Sequence, residues 1–119
     1  MSDRTHAGRR VLVAEDEYIL ADDLQLSLEE AGLAVVGPFA TLQDVLEAIA
    51  SGSTIDAAIL DVNLGGQQVY PAAEALRERQ TPVVFVTGYE AASLPEGLCD
   101  IPCLSKPIDL RQALEALGL

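Results

Sequence analysis

Positive charge is what this chain most lacks: 7 Lys and Arg stand against 19 Asp and Glu, a formal net charge of −12 over 119 residues. That imbalance argues against nucleic acid or a membrane surface as a direct partner, since both are polyanions. It suits a basic protein patch, or a cation held by clustered acids. Tryptophan is absent and aromatic residues make up only 4%, so a core has to be aliphatic and alanine-rich. Hydrophobic residues still reach 50%, far more than a disordered chain carries. No apolar run approaches a membrane span. No basic stretch followed by an apolar one opens the sequence, so the expected location is the cytoplasm. The two cysteines, Cys99 and Cys103, fit neither a redox C-x-x-C nor a zinc pair and read as core or near-core residues. His6 has no partner motif and lies in a polar stretch, Met1 to Arg9, expected to be a flexible tail. Residues 10–119 are expected to form one domain.

What is present alternates. VLVAE (Val11 to Glu15) is a short β-branched run, followed by a helical stretch from about Tyr18 to Ala31 with Leu20, Leu24 and Leu28 four apart. AVVGPF (Ala34 to Phe39) reads as a second strand. TLQDVLEAIASG, opening at Thr41 and stopping at Gly52, reads as a second helix with Leu42, Val45, Leu46 and Ile49 on one face. IDAAIL is a third strand, and a helix from about Pro71 to Arg79 follows, with proline in its first turn. PVVFVT (Pro82 to Thr87) and IPCLS (Ile101 to Ser105) are a fourth and fifth strand. DLRQALEALG closes the chain, with Asp109 as cap, Gln112 placed to complete a capping box, and Leu110, Ala113, Leu114 and Leu117 as a buried stripe. Between Tyr89 and Asp100 the helical signal shrinks to EAASL before Pro95 and Gly97, so a short or mobile helix is expected there. Strands alternating with helices imply right-handed β-α-β units, and so an α/β fold with a parallel sheet covered on both faces.

In DAAILDVNLGG a buried-looking strand runs directly into the carboxylate of Asp61, a costly placement unless something needs that charge. Open parallel sheets bind ligands at the carboxyl ends of their strands. The first strand there ends at Glu15 and Asp16, with Glu17 just after. The third ends at Asp61, the fourth at Thr87-Gly88, and the fifth at Ser105-Lys106-Pro107. Taken singly, these are a helix cap, a surface acidic pair and a turn. Their arrival in order on one rim is hard to obtain that way. Crowded carboxylates call for a hard divalent cation such as Mg²⁺. A carboxylate beside such an ion can attack phosphorus and form an aspartyl phosphate. Metal, ammonium and hydroxyl can then each take one phosphoryl oxygen.

With those residues in view, the chain resembles a response-regulator receiver domain of two-component signalling over about Arg10 to Leu119. LVAEDE resembles the first-strand acidic motif, ILDVNLGG the phosphoacceptor stretch, VTGY the switch threonine, and SKP the lysine-proline step. The resemblance implies a flavodoxin-like (CheY-like) doubly wound sheet of five parallel strands in order 2-1-3-4-5. It implies Asp61 as phosphoacceptor and Asp16 as direct metal ligand. Glu15 would act through a metal-bound water, and Asn63 would offer its backbone carbonyl. Thr87 would hydrogen-bond the phosphoryl group, and Lys106 would pair with it, with the Lys106-Pro107 bond commonly cis. The implied cofactor is Mg²⁺, and the implied phosphodonor is a sensor histidine kinase or a histidine phosphotransfer protein.

Signalling is expected through the junction of the fourth strand with the fourth helix and through the face made by the fourth helix, the fifth strand and the last helix, by contact with a downstream protein. PVVFVTGY (Pro82 to Tyr89) also resembles the PFxFATGY signature of an alphaproteobacterial receiver subgroup, with Val83 and Val86 in place of the usual Phe and Ala. Cys103 stands where many receivers carry an aromatic switch, which leaves Tyr89 and the segment after it as candidates to carry the signal.

Such a domain is not expected to act as an enzyme beyond its own phosphorylation and dephosphorylation. One rival is a Mg²⁺-dependent phosphohydrolase, but it usually has an acid two residues after its nucleophilic aspartate, and here that residue is Asn63. A flavin or nucleotide carrier is disfavoured by the glycine-free, acidic turn AEDEYIL. An unphosphorylated docking module sharing the receiver fold is the third alternative. The absence of an output domain after the last helix leaves three options: signalling by contact, a phosphate sink, or a receiver cut from a longer protein.

Overall fold

The computed structural model describes residues 8–88 and 94–119. The expected elements appear in order: β1 (Arg10–Ala14), α1 (Tyr18–Glu30), β2 (Ala34–Phe39), α2 (Leu42–Ala50) and β3 (Ala57–Asp61). After β3 comes a small hairpin, β4 (Asn63–Leu64) and β5 (Gln67–Gln68), then α3 (Tyr70–Glu78), β6 (Val83–Thr87), β7 (Cys103–Ser105) and α4 (Leu110–Ala116). The main sheet runs β2-β1-β3-β6-β7 with every pairing parallel. With β6 and β7 as the fourth and fifth main strands, this is the expected 2-1-3-4-5 order.

The two-sided burial of the strands follows from their apolar runs. Leu12 and Ala14 of β1, Ala58 and Leu60 of β3, and Val83 and Phe85 of β6 point to the face covered by α2 and α3, packing on Val45, Ile49 and Leu76. The alternate residues Val11, Val13, Ala57, Ile59, Val84 and Val86 meet Leu24 and Leu28 of α1 and Ala113, Leu114 and Leu117 at α4. Period-two alternation inside a continuous apolar run thus feeds two separate cores. Each large side chain fully buried there contributes about 1.5–3 kcal/mol. The helices start where their caps allow. Thr41 Oγ1 accepts from the Asp44 N–H, and the Asp109 carboxylate accepts from the N–H groups of Arg111 and Gln112.

Three details differ from expectation. The loop after Asp61 is a two-residue hairpin, with Gly65 and Gly66 both at positive φ (58° and 93°), the geometry a tight right-twisted hairpin requires. Cys99 is exposed rather than near the core, because Leu98 takes the buried position and Cys99 falls in the following turn; Cys103 is half-buried. The fifth strand begins only at Cys103, since Pro102 has no N–H to give the ladder. Most of the short helix expected after Tyr89 lies outside the described residues, as do Tyr89 itself and His6. Residues 96–97 and 99–100 form turns. Among the described residues no helix is long and apolar enough to cross a membrane.

Candidate functional site

The rim at the carboxyl ends of β1, β3, β6 and β7 is an open cleft bordered by Asp16, Asp61, Asn63, Thr87, Gly88 and Lys106. Glu15 reaches the same cluster from beneath. All six residues singled out from the sequence therefore meet in one place. Asp61 closes β3 and is 6% exposed, while Glu15, one residue past β1, is 4% exposed. Thr87 closes β6 and is buried, and its carbonyl accepts from the Lys106 N–H at 2.9 Å, which ties the fifth main strand's end to the fourth's.

Lys106 stands between the two buried acids. Its Nζ donates to Asp61 Oδ2 at 2.8 Å and to Glu15 Oε2 at 3.1 Å, and Glu17 Oε1 lies 3.8 Å away. Burial works against its charge, but hydrogen bonds to both carboxylates outweigh that and hold the ammonium above its usual pKa of 10.5. The pKa of Glu15 is raised as well, but for a carboxyl group that disfavours the charged form. Desolvation raises its pKa above the usual 4.5, assisted by the nearby Asp61 charge and only partly offset by bonds from the Glu17 N–H and from Lys106. The other Asp61 oxygen, Oδ1, accepts from the Asn63 N–H at 3.0 Å. Asp16, exposed on the loop after β1, accepts from the Gly65 N–H at 2.9 Å.

Carboxylate oxygens of Glu15, Asp16 and Asp61 all lie within 4.8 Å of one another. An all-oxygen donor set of this kind fits a hard divalent cation. These three carboxylates, with Glu17 a fourth beside Lys106, outnumber the one ammonium among them, and the two positive charges of Mg²⁺ would offset that excess, so the residues present fit the ion.

The comparisons with known proteins give the family. The family model for the response regulator receiver domain matches residues 11–118. This chain belongs to the response regulator receiver family. A receiver protein from Sinorhizobium medicae superposes with a TM-score of 0.80 at 27% identity, covering 93% of this chain and 92% of that one. SdrG from Sphingomonas melonis gives a TM-score of 0.80 at 39% identity over the full length of both chains. Among curated proteins, the transcriptional regulatory protein PdtaR of Mycobacterium tuberculosis is 30% identical over 115 residues, 93% of this chain and 56% of that protein. The receiver thus spans about half the length of that relative. Mg²⁺ and phosphorylation are usual features of receiver domains in two-component systems.

The sequence places Glu17 beside the acidic pair but gives no role to it or to Gly65 and Gly66. Glu17 adds a further acid beside Lys106, and the two glycines supply N–H groups to Asp16 and to Asn63 Oδ1. The signal for the latter was a Gly-Gly pair between two short polar runs, a hairpin mark.

Proposed function

We propose that Asp61 accepts a phosphoryl group from a phosphohistidine on a sensor histidine kinase or a histidine phosphotransfer protein. The observation that carries this reading is the setting of the Asp61 carboxylate. It is buried at the base of an open cleft, with the Lys106 ammonium on one oxygen and a backbone N–H on the other. Glu15, Asp16, Asp61 and the backbone of Asn63 would hold the cation, which would neutralise the crowded acids and draw charge from the phosphoryl oxygens.

An Asp61 oxygen attacks phosphorus. The new O–P bond forms as the P–N bond breaks, and the imidazole nitrogen keeps that electron pair. Half-buried Lys106 and buried Thr87 stand at the cleft to bind the phosphoryl oxygens. The added charge of about −1.5 to −2 then draws Lys106 away from its two carboxylate partners and Thr87 towards the phosphate. The change reaches the segment after β6 and the β7–α4 face, where a downstream protein reads it by contact. SdrG has a BeF₃-activated conformation, and the same probe is appropriate here. We also assign the chain to the PFxFATGY subgroup on PVVFVTGY. The domain turns over no external substrate.

The phosphohydrolase reading is weaker on the structure. Asn63 uses its N–H on Asp61 and its side-chain oxygen on the Gly66 N–H at 2.8 Å, and an amide cannot act as general acid. The test is transfer of labelled phosphate from an autophosphorylated histidine kinase in the presence of Mg²⁺. Wild type should take up label and Asp61→Asn should not. Label retained by Asp61→Asn would move the acceptor elsewhere.

A further inference from the structure

The β4–β5 hairpin touches two of the three clustered acids from one short turn. Asp61 Oδ1 is held by the Asn63 N–H, and the side chain of Asn63 in turn accepts from the Gly66 N–H. Asp16 is a different case, because it is exposed on the loop between β1 and α1, and its carboxylate accepts from the Gly65 N–H, 49 residues further along the chain. The base of the hairpin is fixed to the sheet: the Val62 N–H donates to Val86 O at 3.0 Å, and the Val69 N–H donates to Val62 O at 2.9 Å. The turn therefore has a firm platform, and its tip reaches back to β1's loop.

The glycines at the tip answer a conformational demand and not a spatial one. A Cβ at either position would meet nothing within 4 Å, yet φ is 58° at Gly65 and 93° at Gly66. Positive φ at both positions is what turns these two N–H groups towards Asp16 and Asn63. An exposed aspartate left alone keeps its rotamer freedom and has to lose it when a cation binds. One anchored beforehand does not.

We infer that Gly65 is a positioning residue of the cation site: its backbone N–H holds the Asp16 carboxylate in register with Glu15 and Asp61, so the turn contributes to cation affinity without providing a ligand. This rests on the reading of the acidic cluster as a cation site. The hydrogen-bonded partners of metal ligands typically account for about 10–100-fold in affinity.

The experiment is calorimetric titration of the full chain with Mg²⁺ alone, for wild type, Gly65→Val and Gly65→Asn, with thermal midpoints recorded for each. Valine strongly resists positive φ, whereas asparagine tolerates it. Gly65→Val should therefore weaken Mg²⁺ by about tenfold, while Gly65→Asn stays close to wild type. Equal affinity in Gly65→Val and wild type, or equal weakening in both variants, overturns the inference. No Mg²⁺ binding by wild type overturns the cation-site reading itself, and the positioning role with it. Should Gly65→Val fail to fold, amide exchange decides. The Gly65 N–H should be protected in wild type and lose protection in Asp16→Ala, which removes the acceptor, and an unprotected Gly65 N–H in wild type contradicts the assignment.

Discussion

Glu15 and Lys106 are held under opposing demands. Glu15 is buried and its pKa lies above 4.5, so its ionised form is less favoured in the folded protein than in the unfolded one. The stability linked to this group is fully present below pH 4.5 and is lost as pH rises through the raised folded value. Metal-free Glu15→Gln should therefore be more resistant to urea than wild type at pH 7. The difference should shrink as pH falls and vanish below about 4.5, the ordinary value. Chemical unfolding at a series of pH values with chelator present checks this, and a gap that widens on acidification would contradict it.

Tyr70 illustrates a second residue-level cost. Its ring meets Phe85 edge-on, with centroids 5.8 Å apart, and its buried hydroxyl has no hydrogen-bond partner among the described residues. Burial, with Cys103 nearby, pushes its phenol above 10.0. An unpaired buried hydroxyl costs about 1–3 kcal/mol, so Tyr70→Phe should stabilise the protein by about 1 kcal/mol in urea unfolding. It also means that Cys103 has an aromatic near it, supplied by α3. The sequence carried no sign of that, because the contact joins residues 33 positions apart with no shared motif.

At the scale of elements, α3 anchors the connection that follows β6. Arg77 of α3 donates to the Gly97 carbonyl at 2.8 Å and to both carboxylate oxygens of Asp100. The hydrogen bond from Arg77 is the main reason the Asp100 carboxyl lies below its ordinary 3.8. A carbon-detected NMR titration should find that pKa below 3.8 in wild type and higher in Arg77→Ala. An unchanged titration would break the pairing. Residues 94–100 should also exchange their amides faster in that variant.

The main strands and helices were legible because apolar runs of two-sided burial and capped amphipathic stripes are local signals, and strand ends then located the carboxylates, hydroxyl and ammonium. The hairpin escaped notice because its strands are only two residues each. Cys99 was misplaced because burial near a turn depends on which neighbour, here Leu98, takes the inward position.

For the whole molecule, a net charge of −12 creates a field that any partner has to meet. A phosphodonor or target with a basic contact surface would be steered towards the cleft end, and such steering weakens with ionic strength. The rate of phosphotransfer from the cognate kinase should therefore fall as salt rises from about 50 to 500 mM, while autophosphorylation of the kinase is unaffected. A salt-independent transfer rate would count against electrostatic recruitment. The parallel sheet brings four strand ends from 91 residues of sequence separation, Glu15 to Lys106, into one cluster.

The most direct measurement is intact mass after incubation with acetyl phosphate and Mg²⁺, for wild type and Asp61→Asn. A base-labile adduct of about 80 Da, the mass of one added HPO₃, is expected in wild type only. The same adduct on Asp61→Asn, or none on wild type even when BeF₃ and Mg²⁺ also leave its spectrum unchanged, would contradict Asp61 as the phosphoacceptor.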